Sequence, residues 1–364
     1  MFKQLLIILA IILYSSISFG QAPKYSNEFL SIGVGARALG LSNSCIASVD
    51  DVTAGYWNPA SLCNIKSDIQ VALMHSDYFS GLAKYDYAAV AAKIDNKSAF
   101  GASFIRFGVD DIPNTSELID KDGNVDYDRI KTFSAADYGF LFSYSRLSNI
   151  KGLRFGANAK IIHRKVGDFA KAWGFGLDAA LNYEYKKWIF AVVAKDVTST
   201  FNAWSYNLSN EMKEVFTITG NEIPKNSLEL TVPRLIFGTS RKININEDIT
   251  VYPELNFDIT FDGKRNVMVK SNVASIDPHL GLEFAYKNFI YVRGGIGNIQ
   301  KETNYDGLVE TTFQPNVGLG VRIKNFSIDY ALTNIGNQSI APYSNVFSIK
   351  LNITKKEQTA TPSL

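Results

Sequence analysis

The chain has 364 residues, with 37 Lys and Arg against 35 Asp and Glu, for a formal net charge of +2. That balance supplies neither a basic face for nucleic acid nor an acidic tail, and 2 cysteines exclude a disulfide framework. Aromatic residues reach 13%, yet after residue 20 no stretch approaches the roughly 18 consecutive apolar residues of a membrane-spanning helix.

Residues 1–20 read as a secretory signal: Lys3, an apolar run from Leu5 to Tyr14, then Ser18 and Gly20 as the small residues ahead of cleavage before Gln21. No Cys follows the apolar core, so a lipid anchor is not expected. Residues 21–66 have a different texture. Small residues such as Gly33, Gly35, Gly40, Ala36, Ala47 and Ala54 are set among a few apolar anchors, and Asn58-Pro59 is a turn signal. The segment has no sustained alternation. It reads as a compact insert with short helical turns near 36–39 and 51–56, lying inside a wall of strands; an ordinary N-terminal arm is the alternative. Cys45 and Cys63 both fall in it, and whether they pair depends on geometry beyond the sequence.

Three phrases in this segment carry a family resemblance: Gly35-Ala36-Arg37-Ala38-Leu39-Gly40, then Ala47-Ser48-Val49-Asp50-Asp51, then Tyr56-Trp57-Asn58-Pro59-Ala60-Ser61-Leu62. In this order they resemble the N-terminal signature of the PorV/PorQ family, which belongs with the FadL-like outer-membrane barrels. The resemblance implies a 14-stranded antiparallel transmembrane β-barrel, an all-β fold, with the N-terminal segment as a plug in its lumen. Gly35, Arg37, Gly40, Asp50, Asp51, Trp57, Asn58 and Pro59 are then the plug motif. Cys45 and Cys63 stand where the family places small residues.

From Ile69 onward the chain alternates. Trp173, Phe175, Leu177, Ala179, Leu181, Tyr183 and Tyr185 form one wholly apolar row, while Gly174, Gly176, Asp178, Ala180, Asn182 and Glu184 form the other. Successive strand side chains point to opposite faces, so such a run has a greasy face and a polar one. Strands are expected at 69–76, 85–93, 98–108, 134–145, 153–166, 172–185, 188–196, 233–242, 248–261, 276–286, 289–299, 311–323, 326–333 and 345–353. The barrel thus occupies 67–354, followed by a short polar tail at 355–364. Alternation alone also fits a soluble sandwich. The connections separate the two: every second one is short and polar, and those between are mostly long, as at 109–133 and 197–232. Outer-membrane barrels have this asymmetry, with short periplasmic turns and longer outside loops. An even strand count then puts both termini on the periplasmic side of a bacterial outer membrane, with lipid and lipopolysaccharide around the wall. Pro253, Pro278 and Pro315 interrupt strands and mark bulges or bends, either as local curvature or as a gap in the wall.

Catalytic chemistry is not expected. His75, His163 and His279 fall in separate strands without neighbours at metal-ligand spacing, and Gly33-Val34-Gly35 does not continue as a phosphate-binding loop. One loop spaces oxygen ligands around a glycine: Asp120, Asp122, Asn124 and Asp126 are candidate calcium ligands, although no Glu closes the loop and Asp-Gly is also a plain turn. No other cofactor is expected. The long loop at 197–232 carries Phe201, Trp204, Tyr206, Met212 and Phe216, which form either a docking surface for a partner or cargo, or a cap folded onto the barrel itself. The resemblance implies a non-enzymatic part of the type IX secretion system. Its implied partners are the large translocon barrel and the C-terminal domains of secreted cargo. A FadL-like transporter of hydrophobic small molecules is the alternative, and it requires an apolar route past the plug.

Overall fold

The structure, a computed structural model, describes residues 26–79, 81–115, 118, 124–218, 220–303, 306–335 and 343–354. The signal segment 1–20, the first residues of the 21–66 segment, Asp120, Asp122 and the tail 355–364 lie outside the described residues.

Fourteen strands form the wall. In chain order they are β1 (Ile69–Tyr78), β2 (Ala83–Lys93), β3 (Ser98–Asn114), β4 (Lys131–Leu147), β5 (Leu153–Val166), β6 (Ala170–Tyr185) and β7 (Trp188–Lys195). They continue as β8 (Arg234–Arg241), β9 (Ile249–Thr260), β10 (Ser275–Tyr286), β11 (Ile290–Thr303), β12 (Val309–Ile323), β13 (Phe326–Thr333) and β14 (Ser344–Ile353). Each pairs antiparallel with its neighbour, and β1 closes the ring on β14 with Ile69 opposite Ile353 and Asp77 opposite Asn345. A closed ring leaves no unpaired edge, which an antiparallel sheet in lipid requires.

The alternation read from the sequence is the in–out alternation of the wall. On β6, Trp173, Phe175, Leu181, Tyr183 and Tyr185 are exposed, while Gly174, Gly176, Asp178, Ala180 and Asn182 are buried. The exposed row continues round the ring through Leu73, Phe142, Phe257, Phe284, Leu319 and Phe347. So many large apolar side chains facing out is the inverse of a water-soluble core, and a hydrocarbon surround supplies their contacts.

Some strands run beyond their expected ends. β3 continues past a register shift between Val109 and Ile112 to Asn114, and β4 begins at Lys131, so the hairpin stands taller than the sequence suggested. The region 197–232 is not an irregular loop. β7 stops at Lys195 while β6 runs on, and Phe201–Tyr206 takes over the vacated edge of β6, pairing Phe201 with Phe175 and Tyr206 with Ala170. A second strand, Ser227–Leu230, pairs with that one, and a helix, α3 in the chain (Asn210–Ile218), lies between them. Two glycines on the inward row make the crossing possible. A Cβ at Gly176 would overlap Thr200 Oγ1 at 1.8 Å, and one at Gly174 would meet Asn202 Oδ1 at 2.2 Å.

The ring is looser between β10 and β11. Their ladder stops at Leu280 and Ile296, just short of Pro278, which has no donor to give. Above that point Val269 and Lys270 of the β9–β10 connection pair with Ile276 and Ser275. Asn266 bridges to β11, its Nδ2 donating to Gln300 Oε1 at 3.4 Å and its Oδ1 accepting from Lys301 N at 3.3 Å. Pro278 therefore marks a separation in the wall that a loop spans, whereas Pro253 and Pro315 sit within paired register opposite Leu282 and Ile296.

Candidate functional site: the plug and the lumen above it

Residues 26–66 touch inward side chains of strands all round the ring. Two short helices, α1 (Ala36–Gly40) and α2 (Ala54–Trp57), and a 3-10 turn (Pro59–Asn64) give this segment its shape. Small residues let it approach the wall closely. Gly40 stacks on Gly318, and a Cβ at Gly156 or Gly295 would fall 2.2 Å from Ala60 N or 2.3 Å from Leu41 C.

Polar groups then fix its position. Arg37 grips the Glu283 carboxylate with two nitrogens, at 2.9 and 3.1 Å, and reaches Asp50 at 3.2 Å. Glu283 also takes Arg293 at 2.6 Å, and Arg293 continues to Asp329 at 2.7 Å. Asp51 is paired with Lys350 of β14. The Glu254 carboxylate accepts the Ala47 and Ser48 N–H groups at 2.7 and 3.0 Å. Ser143 Oγ and Asn158 Nδ2 both donate to Gly55 O, at 3.1 and 2.9 Å. The motif also braces itself. Trp57 Nε1 donates to Val34 O at 2.8 Å, Asn58 Nδ2 donates to Ile46 O at 2.7 Å, and Pro59 opens the following 3-10 turn. Cys45 and Cys63 are both free thiols.

Around the plug, these lumen charges are paired and hydrogen-bonded to one another or to plug backbone. A second cluster, Lys160 with Asp178 (2.7 Å) and Asp196, repeats the pattern on β5–β7. Above the plug lies a cavity of about 420 Å³ whose lining includes Tyr56, Trp57, Lys195, Arg234, Asp258 and His279. Lys195 is 6% exposed and stands 4.3 Å from the Tyr56 ring centroid. Alternation along β7 places Lys195 on the inward row, but its rings come from the plug, so no local signal in β7 marks this contact.

The aromatic residues of 197–232 do not share one surface. Phe201 faces outward beside Phe175; Trp204 and Tyr206 point inward, where Trp204 Nε1 donates to Glu229 Oε2 at 2.9 Å under the Arg164 guanidinium. Met212 and Phe216 are half-buried on one side of α3. Of the calcium candidates, Asp126 is described: it accepts from Asp128 N and pairs with Arg129 at 3.1 Å. Asn124 is also described, and their partners Asp120 and Asp122 lie outside the described residues. His75, His163 and His279 remain on separate strands, and among the described residues no three His, Cys, Asp or Glu side chains gather as metal ligands.

A closed antiparallel ring with apolar residues outside and a plugged polar lumen is an outer-membrane β-barrel, and its shape is FadL-like. The chain is similar to the CymD monoaromatic hydrocarbon channel, at 12% identity and TM-score 0.55 over 89% of this chain and 98% of that one. It is similar also to the toluene transporters TodX of P. putida (13%, TM-score 0.55, 89% and 99%) and TbuX of Ralstonia pickettii (14%, TM-score 0.51, 88% and 98%). At such identities these likenesses establish the fold. No curated protein sequence matches the chain. The family model for "Type IX secretion system protein PorV" matches residues 23–251, plug and first half of the wall together. The chain belongs to the PorV family and is an outer-membrane component of the type IX secretion system.

Proposed function

We propose that this barrel is a docking component rather than a conduit: it sits beside the large translocon barrel and receives the C-terminal domains of secreted cargo at its long-loop end. The observation that carries this reading is the locked lumen. Arg37, Asp51, Ala47 and Gly55 of the plug are tied to Glu283, Lys350, Glu254 and Ser143, on four separate strands, leaving the loops and the outer wall as working surfaces. With the short turns periplasmic, the hairpin extension at 201–230 and the tall β3–β4 hairpin stand on the cell surface, where cargo arrives.

A transporter of hydrophobic small molecules is the second reading. It is favoured by the separation of β10 from β11 beside the cavity, which His279 and Gly297 both line. The charged lining, with Lys195, Arg234, Asp258 and Arg265, is poorly suited to an apolar solute. Affinity purification in mild detergent tests the first reading. Co-purification of the translocon barrel in stoichiometric amount supports it; a barrel that purifies alone under conditions that keep other outer-membrane complexes intact refutes it.

A further inference from the structure

We infer that the outer face of β1–β3 is covered in the membrane by a second outer-membrane protein rather than by lipid. This face carries charge where a lipid-facing wall is greasy. On that face His75 Nδ1 lies 2.7 Å from Asp86 Oδ1, Arg106 lies 3.5 Å from the other Asp86 oxygen and 3.7 Å from Asp110, and Lys84 lies 4.0 Å from Asp110. Asp77 stands 3.6 Å from the other His75 ring nitrogen. All of these share the outward row with Leu73 and Val90, not the inward row with Met74 and Tyr87. The Arg106 guanidinium lies flat on the wall, close enough to Gly108 that a Cβ there would meet it at 2.8 Å.

Depth makes the charge informative. Elsewhere, outward charges such as Arg146, Lys165, Lys171 and Arg241 occupy the last two residues at a strand end. His75 and Asp86 are each the fourth residue in from theirs, and Arg106 is deep within β3. From Ile69 to His75 the strand climbs about 20 Å at about 3.3 Å per residue. With a strand tilt of about 40° that is roughly 15 Å along the membrane normal, inside an apolar band about 25 Å tall. Hydrocarbon offers these groups nothing to bond.

The same row shows what the wall does where lipid is expected. His75 faces Asp86, Asp86 faces Arg106 and Arg106 faces Tyr138; Tyr138 then faces His163 and His163 faces Trp173. From Tyr138 onward the row becomes an aromatic stack, with His163 and Trp173 4.2 Å apart, as at a lipid interface. Only its β1–β3 part is ionic. Three carboxylates there meet two fixed cations, and the Asp77 and Asp110 carboxylates are 53% and 38% exposed. At that depth an excess of acid finds no counter-charge in lipid. It fits a protein wall that presents Arg, Lys or amide donors at the same depth. Under the reading proposed above, that wall is the translocon barrel.

A photoreactive phenylalanine analogue at Leu73 or Ala88, both beside the cluster, tests this in living cells, with Leu282 and Phe284 on β10 as controls. The expected result is a single outer-membrane-protein adduct from Leu73 and Ala88 and none from the controls. Its yield should fall at least fivefold in an Asp86→Ala, Arg106→Ala double variant whose barrel still shows heat-modifiable migration. Adducts with lipid or lipopolysaccharide alone at Leu73 and Ala88 overturn the inference, and so does a yield unchanged by the double variant. Capture of the translocon solely from the β10 controls removes this facet and keeps the docking reading. Capture of a different outer-membrane protein from Leu73 keeps the facet and removes the translocon.

Discussion

Arg37 and Glu283 are 246 residues apart in the chain and joined by two hydrogen bonds, at 2.9 and 3.1 Å. The pair ties the plug to β10, and Glu283, 3% exposed, sits in a part of the lumen where an unmatched carboxylate cannot be hydrated. Arg37→Ala removes one of its two guanidinium partners. Breaking a buried ion pair from one side costs about 3–5 kcal/mol, reduced here because Arg293 remains. The expected outcome is a plug that becomes protease-sensitive while the wall keeps its heat-modifiable band, with Arg37→Lys intermediate because it loses the two-pronged geometry.

Close approach gives a second expectation. A Cβ at Gly156 lies 2.2 Å from Ala60 N, against backbone that cannot swing aside. Gly156→Val should loosen the plug by about 1–3 kcal/mol, the usual range for overpacking, while Gly294→Val, where nothing lies within 4 Å of an added Cβ, should leave it in place. Hydrogen exchange of the 36–62 amides distinguishes the two.

How far these contacts were legible from sequence differs between the two partners. The small-residue texture and the phrases around Arg37, Asp51 and Asn58 mark the plug, and the Trp173–Tyr185 alternation marks the wall. The wall partners Glu254 and Glu283 are legible only as inward carboxylates, because nothing in a strand of period 2 says which distant backbone it will meet. The 201–206 strand is not legible in the sequence for a similar reason. Its place depends on β7 ending early at Lys195 and on Gly174 and Gly176 admitting the crossing, both tertiary facts. The β10–β11 separation was foreshadowed by Pro278, but whether a proline bends or opens a wall is decided by its neighbours.

Acid should release the plug late. Burial opposes ionisation of Asp51, yet the Lys350 ammonium and the Arg37 guanidinium outweigh it and hold the carboxyl well below the usual carboxylate range. A group with a depressed folded value stabilises fully above its unfolded value of about 3.9 and loses that contribution as pH falls further. Plug protection in detergent should therefore be flat from pH 7 to about 5 and decline below about 4. Asp51→Asn should weaken protection at pH 7 and flatten the acid decline.

The two thiols should behave differently. Cys45 is 2% exposed, and burial together with the nearby Glu254 carboxylate pushes its thiol well above the ordinary range, disfavouring the reactive thiolate. Maleimide should label Cys63 in the folded barrel and reach Cys45 only after denaturation. Because both are free, reduction should not change migration on a gel.

A plugged barrel that serves protein export by docking is distinguished from a transporter by a clean deletion strain in which secreted proteins and growth on a hydrophobic nutrient are measured side by side. Proteins normally displayed or released should disappear from the surface and medium, growth should be unaffected, and the intact gene should restore export. Unchanged export with impaired uptake of the nutrient would contradict the docking role.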